Sequence, residues 1–171
     1  MNINIKIVKE EEKEILRNLL EKYEYEFSKY TKLDVNHLGL YGYSYLDYYW
    51  TEKNRWAYFI IADDKLAGFV MVIDLPEVSD RSTDFQMAEF FILHKYRRMN
   101  VGKKAVFEIF SKHQGDWQLK VHPENKTSIH FWTNVIDEYT NGKYEMIESY
   151  PDTEYEDNTL GNIYFFNTSK K

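Results

Sequence analysis

The 171-residue sequence predicts an α/β (α+β) fold, a mixed sheet of about six or seven strands flanked by about four helices. Three observations point there. Apolar residues alternate at period two near the start and then switch to helical spacing. Two apolar runs, Arg55 to Ala62 and Leu66 to Asp74, are joined by the polar turn Ala62-Asp63-Asp64-Lys65. A third run, Met87 to Leu93, passes through a basic turn straight into a helix beginning near Val101.

In chain order, Ile3, Ile5 and Ile7 share one face of a first strand over Asn2 to Val8. From Glu10 the period changes. Leu16, Leu19, Leu20, Tyr23 and Phe27 fall at helical spacing, which predicts an amphipathic helix ending between Ser28 and Thr31. Its aromatic stripe reads as core packing. Leu33 to Lys53 holds Gly39, Gly42 and the rings of Tyr41, Tyr43, Tyr45, Tyr48, Tyr49 and Trp50. A short second helix with Leu46, Tyr49 and Trp50 on one face fits there, but it cannot bury every ring. This stretch is therefore read either as a binding-site wall or as a packed lid.

After the hairpin, Asp74 to Thr83 is a polar loop with Pro76 that leads into the third run. The helix from Val101 to about Lys112 turns Ala105, Val106, Ile109 and Phe110 inward. Trp117 to Val121 is a further short strand. Pro123-Glu124-Asn125 then opens a helix over Lys126 to Tyr139, with Ile129, Trp132, Val135 and Ile136 at helical spacing. Asn141-Gly142 ends it, because both residues accept positive φ. Lys143 to Ser149 and Asn162 to Thr168 are the last strands. Between them runs an acidic and aromatic loop with Asp152, Glu154, Tyr155, Glu156 and Asp157. The order is β-α-α-β-β-β-α-β-α-β-β, and residues 1–171 are expected to form a single domain.

Composition narrows the function. Hydrophobic residues at 43% and charged residues at 29% are ordinary for a globular protein. The absence of cysteine excludes disulfide scaffolds, thiolate metal sites and a cysteine nucleophile. A net charge of −6 argues against bulk nucleic-acid binding and suits a cationic small-molecule partner. The start lacks a secretory signal pattern and the apolar runs are too short to span a bilayer, so the cytoplasm is the expected compartment, without a membrane partner. A homodimer, the commonest closed assembly, is the default for self-association.

The strand-to-helix junction carries Arg97, Arg98, Met99, Asn100, Val101, Gly102, Lys103 and Lys104. A helix N-terminus offers free backbone N–H groups and the positive end of its dipole, a natural cradle for a phosphate or pyrophosphate. Basic side chains oppose that dipole, so an anionic ligand explains them better than helix propensity does. On the preceding strand, alternation sets Glu89 and Phe91 opposite Phe90 and Ile92. A carboxylate among such neighbours is expected to have a raised pKa and to serve as a base. It could equally pair with a strand neighbour or hold an ammonium group. His94, His122 and His130 read as surface or packing residues whose spacing forms no zinc motif, and no metal is expected.

The element order and these motifs resemble the GNAT (Gcn5-related N-acetyltransferase) superfamily over essentially the whole chain. In YRRMNVGKKA, Arg97, Asn100 and Gly102 match the signature between the fourth strand and its helix, with Asn100 where a glycine is usual. Asn125 matches the second motif, Ser128 stands at its small position, and Trp132 replaces the usual tyrosine. The segment AEFFILHKYRR is similar to the strand of polyamine-type members. The Tyr/Trp-rich segment through KLAGFVMV is similar to a poorly characterised bacterial branch.

The resemblance implies a GNAT fold and an N-acetyltransferase that moves the acetyl group of acetyl-CoA to a primary amine of a small cationic acceptor. Phe90, Phe91 and Ile92 would meet the pantetheine arm. Arg97, Arg98, Met99, Asn100, Val101, Gly102 and Lys103 would hold the pyrophosphate, with Asn125, Ser128 and Trp132 completing the coenzyme A site. Glu89 would act as base or ammonium binder, the acid being unassigned. Tyr41, Tyr43, Tyr45 and Tyr155 would wall the acceptor. Two other readings stay open at this point: an acyl-CoA-binding module without turnover, and a protein or peptide N-acetyltransferase.

Overall fold

A computed structural model describes residues 1–169. The chain lays down β1 (Ile3–Ile7), α1 (Lys13–Thr31), the single-turn α2 (Tyr48–Thr51), β2 (Arg55–Ala62), β3 (Lys65–Ile73) and β4 (Phe85–Ile92). It continues through α3 (Val101–Lys112), β5 (Asp116–Val121), α4 (Lys126–Thr140), β6 (Tyr144–Ile147) and β7 (Asn162–Asn167). These elements follow the order that the sequence predicts. The strands form one seven-stranded sheet in the order β1-β2-β3-β4-β5-β7-β6. Every pairing is antiparallel except β4 with β5.

Each face of the sheet carries its own core. Leu16, Leu19 and Leu20 of α1, with Leu46 and Tyr49, pack on Phe59, Phe69, Met71 and Phe91. On the other face Val106, Ile109 and Phe110 of α3 and Trp132 and Ile136 of α4 cover Val70, Val72, Trp117 and Tyr164. Burying one such aliphatic side chain contributes about 1.5–3 kcal/mol, so both faces hold the sheet strongly. The β2–β3 turn places both Asp63 and Asp64 at positive φ, as a two-residue type I′ hairpin requires. Gly68 is obligatory for another reason. A Cβ there would lie 2.0 Å from the Phe91 carbonyl oxygen, so only glycine lets β3 pass β4.

Two irregularities position the site. First, β4 and β5 pair only at Phe85–Trp117 and Gln86–Gln118, and beyond Gln86 the strands part. Second, β4 bulges. Glu89 lies opposite Met71 while Met87 lies opposite Val72, so Ala88 is an extra residue on β4. The bulge reverses the alternation. Met87 and Ile92 belong to the α3–α4 side, whereas Phe91, on Glu89's face, packs on the α1 side. Without Ala88 as the extra residue, Glu89 would share the face of Met87.

Candidate active site

The gap between the parted strands is a cleft of about 540 Å³, within the range of small-molecule sites. Its floor is β4 from Gln86 to Phe90 and β5 from Leu119 to Val121, with His122 just beyond. Asn125, Ser128 and Trp132 of α4 form one wall. Tyr23, Glu24 and Phe27 of α1, with Tyr43, Tyr45 and Tyr49, form the opposite wall, and Glu154, Tyr155 and Glu156 close it from the β6–β7 loop.

At the α3 end the loop holds two left-handed residues and a run of unpaired backbone donors. Arg98 and Asn100 both adopt the left-handed conformation, at φ 61° and 60°. Among the described residues, the N–H groups from Arg98 to Lys103 find no acceptor, and intrahelical bonding resumes with Lys104 N–H to the Asn100 carbonyl at 3.1 Å. Buried or not, such donors need a partner, and an anion in front of them satisfies several at once. Gly102 sits beneath Phe131 and Phe90, whose ring atoms would lie 3.1–3.4 Å from an added Cβ.

Two basic side chains of this loop are engaged within the protein. Arg97 donates through Nε to the Ile92 carbonyl at 2.7 Å and through its terminal nitrogen to Glu26 at 2.8 Å. Lys103 reaches Glu138 on α4 at 3.1 Å. They staple the loop to its neighbours, beside the main-chain donors that stay unpaired. Asn125 caps α4, its side-chain oxygen accepting from Ser128 N–H at 3.1 Å. Trp132 is buried against Phe90 and Phe131.

Glu89 lies at the centre. Burial pushes its carboxyl up to about 7, and the nearby Glu156 adds to the rise. The hydroxyls of Tyr23 and Tyr43 and the ammonium of Lys120 restrain it, Tyr43 donating to Glu89 Oε1 at 3.1 Å. Burial, then the neighbouring carboxylate, holds both phenols well above the usual tyrosine range, so they remain donors. Glu24 faces the same space. Burial and then the charges of Glu89, Glu156 and Glu21 raise it to about 8. Glu77, by contrast, is held by Lys120 and by Gln86. Among the described residues, Glu24, Glu89, Glu154 and Glu156 therefore form no ion pair, and a bound cation would relieve them.

Of the tyrosines singled out in the sequence, Tyr43, Tyr45 and Tyr155 line the cleft. Tyr41 does not; its hydroxyl donates to Ser28 and its N–H to Glu21. The side chains of Phe91 and Ile92 are buried in the two cores. The α1 stripe reads from sequence as core, and Tyr23 does pack against that core, but it and Phe27 also line the cleft beside Glu24, which the stripe alone does not single out. The available signal was Glu24 four residues after the fully buried Leu20 and three before Phe27, a carboxylate within the apolar stripe.

His122 is a packing residue, the second of the two roles its sequence context allows, and is buried where it borders the cleft. Its Nδ1 accepts from Glu124 N–H at 3.2 Å, so Nε2 carries the proton and donates to Asp157 at 3.1 Å. Stacked on Tyr30 and tilted against Tyr155, it has no free nitrogen for proton transfer. No helix among the described residues is long and apolar enough to cross a membrane.

Comparison with known proteins agrees with this geometry. A family model described as the acetyltransferase (GNAT) family matches residues 14–135. No curated protein matches the chain by sequence. Among solved structures, an acetyltransferase of the GNAT family from Staphylococcus aureus superposes with a TM-score of 0.63 at 14% identity, covering 98% of this chain and 100% of the other. The PaiA N-acetyltransferase of Thermoplasma acidophilum, solved with coenzyme A, gives 0.63 at 13% identity over 98% and 99%. The spermidine N-acetyltransferase of Vibrio cholerae, solved with CoA and spermine, gives 0.64 at 12% identity over 98% and 96%.

Proposed function

Because the chain belongs to the GNAT family of acetyltransferases and uses acetyl-CoA, we propose that it acetylates a primary amine of a small, cationic acceptor by direct attack in a ternary complex. The observation that carries this reading is Glu89, a bulge-directed, half-buried carboxylate in a cleft that also holds Glu24, Glu154 and Glu156. The similar structures bear different acceptors in their names, so the acceptor is argued from the cleft alone.

Acetyl-CoA supplies an activated thioester. The N–H groups from Arg98 to Lys103 would hold its pyrophosphate, and the β4 edge beyond Gln86, which β5 leaves unpaired, would take the pantetheine arm as an added strand does. Asn125, Ser128 and Trp132 would border that arm from α4. An amine reaches the cleft as an ammonium and must lose a proton before it can attack. Glu89, held near neutrality by burial, would take that proton directly or through water, while Tyr23 and Tyr43 orient its carboxylate. Glu24, Glu154 and Glu156, with the rings of Tyr43, Tyr45 and Tyr155, would draw the cation in.

The test is thiol release from acetyl-CoA with a panel of diamines, polyamines, amino acids and peptides. Amine-dependent release is expected with small cationic amines and not with peptides. Turnover confined to peptides, or no turnover above hydrolysis with any amine, overturns the proposal.

A further inference from the structure

We propose that the cleft contains a second recognition point, formed by the Tyr49 hydroxyl and the terminal nitrogens of Arg55, that takes a carboxylate at the far end of the acceptor. This rests on the amine-transfer reading above and names its substrate class: a primary amine that also bears a carboxylate, of amino-acid size.

Tyr49 is the starting point. Its side chain lines the cleft and is 6% exposed. Its hydroxyl is, among the described residues, the one buried side-chain polar atom without a hydrogen-bond partner. Buried polar groups are nearly always satisfied, and an orphan in a cleft wall marks a place where something else supplies the partner. Arg55, the neighbouring cation, also lines the cleft. Its guanidinium lies over the rings of Tyr45, Tyr48 and Tyr49, at 5.9, 5.4 and 5.8 Å from their centres. Glu52 takes Nε alone, at 2.9 Å. The guanidinium interacts with the Tyr49 hydroxyl beside it, its two terminal nitrogens bond no carboxylate among the described residues, and they are the pair that grips one in fork geometry.

The sheet puts this point on the same face as Glu89. Arg55 is in register with Ile73, and Ile73 with Gln86, while Glu89 is in register with Met71 and Met71 with Ala57. Arg55 is thus two strands and one pleat repeat from Glu89, or roughly 12 Å between Cα atoms. The two side chains leave between them the length of a small amino acid. The charges agree. A bare polyamine would gain nothing from a guanidinium in the wall, whereas an acceptor with an ammonium at Glu89 and a carboxylate at Arg55 satisfies both ends. The tyrosine hydroxyl adds a neutral donor that only an acceptor atom can use.

Matched pairs that differ only by the carboxylate test this: lysine against cadaverine, and ornithine against putrescine. Each is titrated calorimetrically into the CoA-loaded protein, and acetylation is followed in parallel. The carboxylated member is expected to bind about ten- to a hundred-fold more tightly, the range for charge-assisted hydrogen bonds, with the difference expressed in KM rather than kcat. Tyr49→Phe and Arg55→Gln should each erase most of that preference, and Arg55→Lys should restore part of it. CoA affinity should stay unchanged, and Tyr49→Phe should melt no lower than the wild type, since it removes an unsatisfied group.

Preference for the decarboxylated member, a preference that survives both substitutions, or no binding by either pair overturns the proposal. Carboxylate-dependent binding without acetylation would instead sink the transfer reading and leave this recognition point standing.

Discussion

Replacing Glu89 with glutamine removes the ionisable oxygen and keeps the side chain's size. With its pKa at about 7, the carboxylate is ionised in about a tenth of molecules at pH 6, half at pH 7 and nine-tenths at pH 8. A base must be deprotonated to act, so kcat/KM should rise about ten-fold from pH 6 to pH 8 on account of this group alone. The acceptor enters as its ammonium, which predominates below about pH 10, so its own titration adds no slope between pH 6 and 8. The diagnostic feature is therefore the bend near pH 7, which an ordinary carboxylate would place near pH 4.5. Glu89→Gln should lower kcat/KM at pH 8 by about 10² to 10⁴-fold, the usual contribution of a positioned base, and should replace the bend with a steady rise, since only amine already neutral in solution could then attack. The assay is steady-state thiol release at fixed ionic strength from pH 5.5 to 9. A bend that persists in the glutamine variant, or a wild-type rate in that variant, refutes the base assignment. A raised KM with kcat preserved would reduce Glu89 to an ammonium binder.

Further outcomes follow from other contacts. Tyr43→Phe deletes a donor to Glu89 Oε1, which disfavours the charged form, so the bend should move to higher pH by about one unit. His113 is buried, bonded to Tyr58 at 2.8 Å and ringed by Trp56 and Phe85, and its burial pushes its pKa down to about 4. Between pH 6.5 and 4 the unfolded chain takes up a proton there that the folded protein refuses, so folding stability falls as pH drops. At pH 5 the loss from this group is about 2 kcal/mol relative to pH 7.5, and Glu24 and Glu89, with raised values, act in the opposite sense. Urea unfolding should therefore show a smaller acid loss in His113→Gln than in the wild type. Asn100 holds φ 60° at the start of α3; Asn100→Gly should leave stability level or raised, while Asn100→Val should cost about 1–2 kcal/mol in urea unfolding and weaken CoA binding in calorimetry.

The order of elements was readable because each carries its own period. Ile3, Ile5 and Ile7 alternate; Leu16, Leu19 and Leu20 do not; and Val101 to Phe110 repeats every three to four residues before Trp117 starts a strand. Turn chemistry marked the joints just as locally, since Asp63-Asp64 and Asn141-Gly142 adopt the positive φ that their residue types favour. The junction with its unpaired main-chain donors was visible for the same reason: a strand, a basic turn and a helix are consecutive in sequence.

The opposite wall of the cleft was legible only in part: Tyr43, Tyr45 and Tyr155 stood out, but nothing local specifies where Glu89 and Glu24 point. Alternation predicts that Glu89 faces away from Phe90 and Ile92, yet it says nothing of Ala88, whose extra residue is defined only by the pairing of β4 with β3. That pairing is close because Gly68 clears the Phe91 carbonyl, so a glycine on one strand helps decide where a carboxylate on the next one points. Glu24 belongs to an apolar stripe that is core at Leu20 and cleft wall at Phe27, and the change occurs where β4 and β5 cease to pair. The His122–Asp157 bond and the elevated Glu89 depend on a loop more than thirty residues further on. Each of these features arises from an interruption of regular pairing. A disulfide-free sheet of seven strands would otherwise close over this space. The parted strands leave it open, and the bulge turns the one carboxylate on β4 into it.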